Sequence, residues 1–166
     1  LLGIIGQTAM RGNPTKAKEI AMRFKEGLGD DFYLELLPIK VAPNKGKGEM
    51  SASEGGCDNV QETVNKILLD IASSCGIKMV ATPDAHMPKL EHKVLQDVKL
   101  ANHSKGWKYD DTYYLPDPKD FRRQFEENHP YISAETIDKM FVNTNEVVDK
   151  AKELNLEFKP LLPDVG

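Results

Sequence analysis

The sequence has little cysteine, a single tryptophan and no cluster of basic residues. Its two cysteines, Cys57 and Cys75, do not form a CxxC pair, and so few thiols are typical of a reducing compartment, where they stay unpaired. The 22 lysines and arginines are outnumbered by 26 acidic residues and are dispersed along the chain. Because a DNA-binding surface needs a basic patch or stripe, this chain is not expected to hold DNA by itself.

Long hydrophobic runs are missing too. No stretch of the sequence is long enough to span a bilayer, and no charged segment followed by an apolar one indicates a leader. Together with the few thiols, this predicts a cytoplasmic location. With 40% hydrophobic and 29% charged residues in a chain of 166, the composition is typical of one globular domain. The chain opens on Leu1, in an apolar stretch without Met, and we expect it to be cut from a longer protein.

Helical and strand patterns alternate in the first half of the chain. Apolar residues recur at helical spacing over 13–29 and again over 58–76, and each stretch has a capping residue at its start and a glycine at its end. The short apolar runs 32–37 and 77–81 have the pattern of strands. Strand, helix and strand in this order predict a parallel βαβ unit and the α/β class. Residues 42–57, rich in glycine and small polar side chains, are predicted to form a flexible surface loop.

The second half of the chain is predicted to be helical. One helix is expected around 91–102, a short one begins at Asp117-Pro118, and a last one is capped by Ser133. Each carries an apolar stripe that we predict to face the core. The stripes are Val94, Leu95, Val98 and Ala101 in the first helix, Phe121 and Phe125 in the second, and Ile137, Met140, Phe141, Thr144, Val148 and Ala151 in the third.

The candidate for chemistry is the sequence Thr82-Pro83-Asp84-Ala85-His86, directly after the second predicted strand. Parallel α/β folds place their sites at the carboxyl ends of strands. Asp84 and His86, two residues apart, can offer an oxygen and an imidazole nitrogen to a divalent cation such as zinc or manganese. On spacing alone the simpler interpretation is an aspartate that caps a turn beside a surface histidine.

The residues around this pair carry a family resemblance. Residues 76–86, GIKMVATPDAH, resemble the last metal-binding motif of the polymerase and histidinol phosphatase (PHP) domain in C-family polymerases, the catalytic subunits of bacterial DNA polymerase III. Further collinear resemblances are 6–12 (GQTAMRG), 32–36 (FYLEL), 95–100 (LQDVKL), 113–115 (YYL), 118–121 (PKDF), 144–148 (TNEVV) and 161–163 (LLP). A histidinol phosphatase would not be expected to share the stretch from Tyr113 to Pro163, so the resemblance favours the polymerases.

The resemblance implies that residues 1–166 are part of a distorted β/α barrel of the PHP type, helix-rich toward its carboxyl end. In such domains a cluster of divalent ions, zinc, manganese or magnesium, lies at the barrel mouth, and Asp84 and His86 match two of its ligands. Most other ligands of the family, a His-x-His pair included, come before anything that matches Leu1, and the polymerase palm would follow; neither is present. Residues 37–39, Leu-Pro-Ile, replace a Gln-Asp-His-like triplet of many relatives and cannot bind metal.

The implied parent is a DNA-directed DNA polymerase, a nucleotidyltransferase of DNA replication. Its PHP domain supports 3′–5′ exonuclease proofreading in some members and serves as a structural platform in others. Partners would be the remainder of the polymerase chain, DNA in the intact enzyme and a separate exonuclease subunit, with no membrane. No catalytic residue can be assigned, and the isolated chain is expected to be inactive. Two alternatives stay open: a stand-alone PHP-type metal-dependent phosphoesterase and a non-catalytic interaction module.

The other polar and aromatic candidates receive simpler interpretations. His92, His103 and His129 are predicted to face solvent, because they lie in or next to polar helical and turn segments. Glu35 alternates with its neighbours on the first strand, so it faces either the barrel mouth or water. Trp107 is interpreted as a packing lid or a subunit contact, with stacking on a nucleotide as the alternative.

Overall fold

The structure is a computed structural model that describes residues 3–41, 59–101 and 109–152. The predictions for 42–57, His103 and Trp107 concern residues outside this set. The described elements are α1 (Ile4–Met10), α2 (Pro14–Leu28), β1 (Tyr33–Leu36), α3 (Val60–Cys75), β2 (Lys78–Ala81), α4 (Lys93–Ala101), α5 (Pro118–Asn128) and α6 (Ala134–Lys152). None of these helices is both long and apolar enough to cross a membrane.

The two described strands form a parallel pair. Tyr33 lies opposite Lys78, Leu36 lies opposite Ala81, and α3 connects the strands along the chain and packs on β1. This confirms the predicted parallel pair with a helical crossover. Two strands do not define a barrel, so the distorted β/α barrel stays a prediction.

Capping residues determine where the helices before and between the strands begin and end. The Asn13 side chain accepts a hydrogen bond from the Lys16 amide at the start of α2, and Asn59 accepts one from the Gln61 amide at the start of α3. These bonds satisfy amides that have no partner within the helix. Gly76 ends α3 in the left-handed conformation, with φ of +60°, which glycine adopts without strain. The helix bounds predicted from these residues are confirmed to within a residue or two.

The main core lies between the strand pair and helices α1, α2, α3, α5 and α6. Its buried members are Ile5, Ala9, Ala17, Ala21, Leu34, Leu36, Val64, Leu68, Ile71, Ala72, Ile77, Ala81, Phe125, Ile132, Ile137 and Met140. Helix α1 was not predicted, because its stretch is short and apolar without a helical signature. It contributes Ile5 and Ala9, which pack where α1 meets α2 and α3.

A second, smaller core lies beyond the carboxyl ends of the strands. It consists of Leu37, Ile39, Met87 and Tyr113, and the name second core is used below for these four residues. Leu37 and Ile39 are buried, at 8% and 2% exposed, and their apolar side chains carry no ligand atoms.

Helix α4 contradicts the prediction that its apolar stripe is core. Val94, Leu95 and Val98 are 62%, 67% and 61% exposed, and α4 has no buried residue. Its polar residues lie on the less exposed side instead, where Lys93 Nζ is 3.1 Å from Asp97 Oδ2 and both side chains are 24% exposed. Periodicity correctly grouped the residues by face, and the wrong face was taken to be buried.

Helix α6 covers the free edge of β2 with polar side chains. Asn143 Nδ2 donates a hydrogen bond to the Met79 carbonyl at 2.8 Å, and the Ala81 amide donates to Thr144 Oγ1 at 3.2 Å. These bonds replace part of a strand ladder, because edge groups must otherwise be satisfied by water. Toward the end of α6 the predicted core stripe is wrong, since Val148 is 49% exposed and Ala151 is exposed too. The helix extends past the strands there.

Candidate functional site

The site loop, residues 82–86, leaves the carboxyl end of β2. Asp84 adopts a φ of +47° and is the one described non-glycine residue with a positive φ. Aspartate tolerates this left-handed conformation better than most residues, because its short polar side chain can form local hydrogen bonds. The bend turns the chain back, so that residues two apart contact each other. The loop therefore gathers Asp84 and His86, as their spacing predicted.

The contact between Asp84 and His86 determines which nitrogen of the imidazole is available. Nδ1 of His86 lies 2.8 Å from the Asp84 backbone oxygen and 3.7 Å from its carboxylate Oδ1. A carbonyl oxygen can only accept a hydrogen bond, so Nδ1 carries the proton and Nε2 of the neutral ring keeps its lone pair. Metal-binding histidines use this arrangement, in which a carbonyl or carboxylate holds the nitrogen that does not bind the metal.

Two tyrosines form an aromatic wall against His86. The His86 and Tyr109 ring centroids are 4.4 Å apart and tilted by 32°, whereas Tyr113 meets the imidazole edge-on at 5.6 Å. The two tyrosine rings are 5.0 Å apart. Burial raises the pKa of the Tyr113 hydroxyl far above its ordinary value, and the nearby Asp84 carboxylate raises it further. Burial and Asp84 raise the pKa of Tyr109 as well, so both phenols stay neutral beside the acid.

Backbone hydrogen bonds attach the tyrosine segment, residues 109–115, to the site loop. The Tyr113 carbonyl accepts from the His86 amide at 2.8 Å and from the Met87 amide at 3.2 Å. The Leu115 amide donates to the Met87 carbonyl at 3.0 Å, which completes a parallel bridge between Met87 and Tyr114. The segment thus runs beside the loop as a short strand would, and the second core lies beneath both.

Glu35 borders the site from β1. Its side chain is exposed, and its carboxylate accepts a hydrogen bond from the hydroxyl of Thr82, the first residue of the site loop. Glu35 therefore faces solvent, next to the first residue of the site loop.

The donor types at the site fit a divalent cation, but their number is small. A carboxylate oxygen and an imidazole nitrogen suit zinc or manganese. Within residues 3–41, 59–101 and 109–152, however, no three His, Cys, Asp or Glu side chains are grouped so as to hold a metal ion. Within the described residues, Asp84 and His86 therefore do not form a metal site by themselves, and their role as ligands stays a prediction.

His129 is buried, and its predicted solvent exposure is wrong. It is 0% exposed; its Nδ1 lies 3.0 Å from the Tyr131 hydroxyl and its Nε2 lies 3.5 Å from Asn65 Nδ2. The signal was in the sequence, because His129 follows Phe121 and Phe125 at intervals of four and shares their buried face. His92, in a short 3-10 turn before α4, is partly exposed.

Comparison with known proteins adds a context for this geometry. No family model matches the chain. The chain is 27% identical over 172 residues to DNA polymerase III subunit alpha of Aquifex aeolicus (strain VF5), covering 91% of this chain and 13% of that protein. It is 28% identical over 134 residues both to probable DNA polymerase YorL of Bacillus subtilis (strain 168) and to a DNA-directed DNA polymerase of Bacillus phage SPbeta, covering 81% of this chain and 9% of each.

The chain is a distant relative of DNA polymerases. The similarity runs through most of the chain, while the chain spans only 13% and 9% of the relatives' lengths. The coarse resemblance drawn from the sequence motifs is thereby supported.

Proposed function

We propose that this chain is part of the PHP domain of a replicative DNA-directed DNA polymerase, a nucleotidyltransferase, and that Asp84 and His86 are ligands of its divalent metal site. The observation that carries the metal assignment is the hydrogen bond from His86 Nδ1 to the Asp84 carbonyl at 2.8 Å, which leaves Nε2 available to a metal ion. The polymerase context rests on distant similarity over most of the chain.

The position of the pair agrees with this role. Both residues follow the carboxyl end of a parallel strand, where α/β folds place binding sites, and both side chains are about one third exposed or less. A bound zinc, manganese or magnesium ion would supply Lewis acidity at a phosphate oxygen and lower the pKa of a water molecule. In the intact enzyme this chemistry would support a 3′–5′ exonuclease, and the further ligands would come from other parts of the parent chain.

The charge of the chain fits a domain that does not grip DNA directly. Its net charge is −4, so the phosphate contacts of a polymerase would be made elsewhere in the parent enzyme. We therefore expect the partners of this domain to be the remainder of the polymerase chain and, where one exists, a separate exonuclease subunit.

The metal assignment is tested by measuring metal content in the parent polypeptide. Wild type, Asp84→Asn and His86→Gln are purified, dialysed against buffer with a limiting chelator, and analysed for zinc and manganese by mass spectrometry. Asparagine is chosen because it tolerates the positive φ at position 84. Both variants should retain clearly less metal, and His92→Gln, a change of the same type outside the site, should retain the wild-type amount. Wild-type metal content in both site variants would refute the assignment.

The need for further ligands is tested with the isolated chain. Two donors rarely hold a divalent ion against water, so calorimetric titration with zinc or manganese should show only weak binding. Tight binding with one ion per chain would contradict the proposed incomplete site.

The polymerase context is tested by reading the coding sequence on both sides of this chain. A polymerase palm downstream would support the proposal. A complete reading frame without polymerase sequence would favour the stand-alone phosphoesterase, and release of phosphate from small phosphate esters would then be the activity to assay.

A further inference from the structure

We propose that Tyr109 and Tyr113 are positioning residues for His86: their rings fix the plane of the imidazole so that Nε2 is held ready for a metal ion. The inference rests on the proposed function, because it takes His86 to be a ligand. It assigns a task to two residues that supply no ligand atom themselves, and it follows from the packing of the site.

Without the tyrosines, a single hydrogen bond would hold the His86 ring. The hydrogen bond from Nδ1 to the Asp84 carbonyl restrains one corner of the imidazole, and the side chain is 35% exposed. A partly exposed histidine with one hydrogen bond can still turn about its side-chain torsions. Freezing that motion when the metal binds would cost entropy, and a ring that is already fixed avoids the cost.

The two tyrosines restrain the remaining motion of the His86 ring from different directions. Tyr109 packs against the face of the imidazole at 4.4 Å, with a tilt of 32°, and Tyr113 meets it at 70° and 5.6 Å. Tilting the ring out of its plane would disrupt the stacked contact with Tyr109, and moving it sideways would disrupt the contact with Tyr113. The Nδ1 hydrogen bond favours one of the two flipped positions of the ring.

The two tyrosines are themselves held in place by packing and by a backbone hydrogen bond. Tyr113 is 7% exposed and belongs to the second core with Met87 and Ile39. The Tyr113 carbonyl accepts a hydrogen bond from the His86 amide at 2.8 Å. Tyr113 therefore contacts His86 twice, with its ring at the imidazole and with its carbonyl at the backbone. Tyr109 is in turn braced by the Tyr113 ring, with the two ring centroids 5.0 Å apart.

The test compares zinc affinity in the parent polypeptide by competition with a chromophoric chelator. The contacts are made by rings and not by hydroxyls, so Tyr109→Phe should bind zinc as wild type does. Tyr109→Leu should lose about 10- to 100-fold in affinity, the usual effect of removing a group that orients a ligand. Tyr33→Leu is the matched control, because Tyr33 contacts Glu146 and Lys150 at the opposite end of the strands, and it should leave zinc affinity unchanged.

A second readout follows the imidazole without any metal. In the wild type the ring protons of His86 should resonate upfield, because they lie against the face of Tyr109; they should keep this shift in Tyr109→Phe and lose it in Tyr109→Leu. Circular dichroism of each variant reports whether the fold is intact. Tyr113→Leu is measured in the same way but is not decisive alone, since Tyr113 is buried and its loss can destabilise the second core.

The outcomes separate this inference from the function on which it rests. If His86→Gln loses zinc while a folded Tyr109→Leu binds as tightly as wild type, the positioning role is overturned and the metal assignment stands. If His86→Gln binds zinc like wild type, the metal assignment fails and the positioning role fails with it. Loss of affinity in Tyr109→Leu, rescue in Tyr109→Phe and the matching change in the His86 resonances would support the proposal.

Discussion

Acidification is expected to destabilise the fold through His129. The imidazole is fully buried, with Nδ1 3.0 Å from the Tyr131 hydroxyl and Nε2 3.5 Å from Asn65 Nδ2. An amide nitrogen can only donate, so a proton on Nε2 would break the contact with Asn65. Burial lowers the pKa of His129, and this outweighs the opposing influence of the Ile39 carbonyl and the Glu62 carboxylate.

The sign and size of the effect follow from proton linkage. In the unfolded chain a histidine has a pKa of about 6.5, and the folded state takes up the same proton only at lower pH. Between the two pKa values the unfolded state binds more protons, so the free energy of unfolding falls as the pH falls. For one proton the slope is at most about 1.4 kcal/mol per pH unit. The contribution of His129 to stability is fully present above its pKa in the unfolded chain. Its loss is complete once the pH lies below its pKa in the folded state.

The assay is urea denaturation followed by circular dichroism from about pH 8 to about pH 5.5, a range above the titration of most carboxylates. His129→Gln should lose the histidine-dependent part of the slope. It should also be less stable at neutral pH by about 1–3 kcal/mol, because buried partners are left without hydrogen bonds. His92→Gln, a change at a partly exposed position, should keep the wild-type slope. A wild-type slope in folded His129→Gln would refute the reasoning.

Three further changes test the fold. Gly76→Ala should lower the free energy of unfolding by about 1–2 kcal/mol, because φ there is +60°; an unchanged value would contradict the left-handed end of α3. Leu95→Lys with Val98→Lys should change the free energy of unfolding by less than about 0.5 kcal/mol per site, since both residues are exposed. Val64→Lys, in the core, should unfold the chain. Asn143→Ala should lower the free energy of unfolding by about 1 kcal/mol and accelerate amide hydrogen exchange in β2. An exchange rate equal to that of the wild type would refute the contact between α6 and the edge of β2.

The parts of the fold that could be predicted are those with local signals. Asn59 and Gly76 lie at the two ends of α3, and each acts within its own helix turn, so the sequence around them is sufficient to predict the bounds. The parallel pairing of the strands followed from the crossover between them. Helix α1 lacks such signals: no side chain caps its start, and it is only 7 residues long. It forms because Ile5 and Ala9 have a core to pack against.

The errors concern which side of an element is buried. In α4 the spacing of Val94 and Val98 was interpreted correctly as one face, yet that face is exposed. The adjacent side, with Lys93 and Asp97, is less exposed, at 24% for each side chain. Burial of a face depends on what packs there, which sequence periodicity does not contain. His129 is the reverse case, a polar residue on an apolar face. Its partners are the buried Asn65, from a distant position, and the partly buried Tyr131, from the following turn.

The candidate site also has one part that the sequence could predict and one part that it could not. Asp84 and His86 are two residues apart, so a single bend brings them together, and the sequence was sufficient to propose the pair. Tyr109 and Tyr113 belong to a segment that returns to the loop after α4. The backbone bonds of Met87 and Tyr113 and the ring contacts with His86 show that the two segments meet. No local pattern predicts such a return.

The second core connects these observations. Where the resemblance would place polar residues after the first strand, this chain has Leu37 and Ile39, which are 8% and 2% exposed and pack with Tyr113 beneath the site loop. Apolar side chains there cannot share a metal, but they bury the tyrosine that braces His86. Under the proposed function, the orientation of His86 therefore depends on packing more than on neighbouring polar groups. That dependence makes ring replacement at Tyr109, with the hydroxyl removed separately, the most informative change at this site.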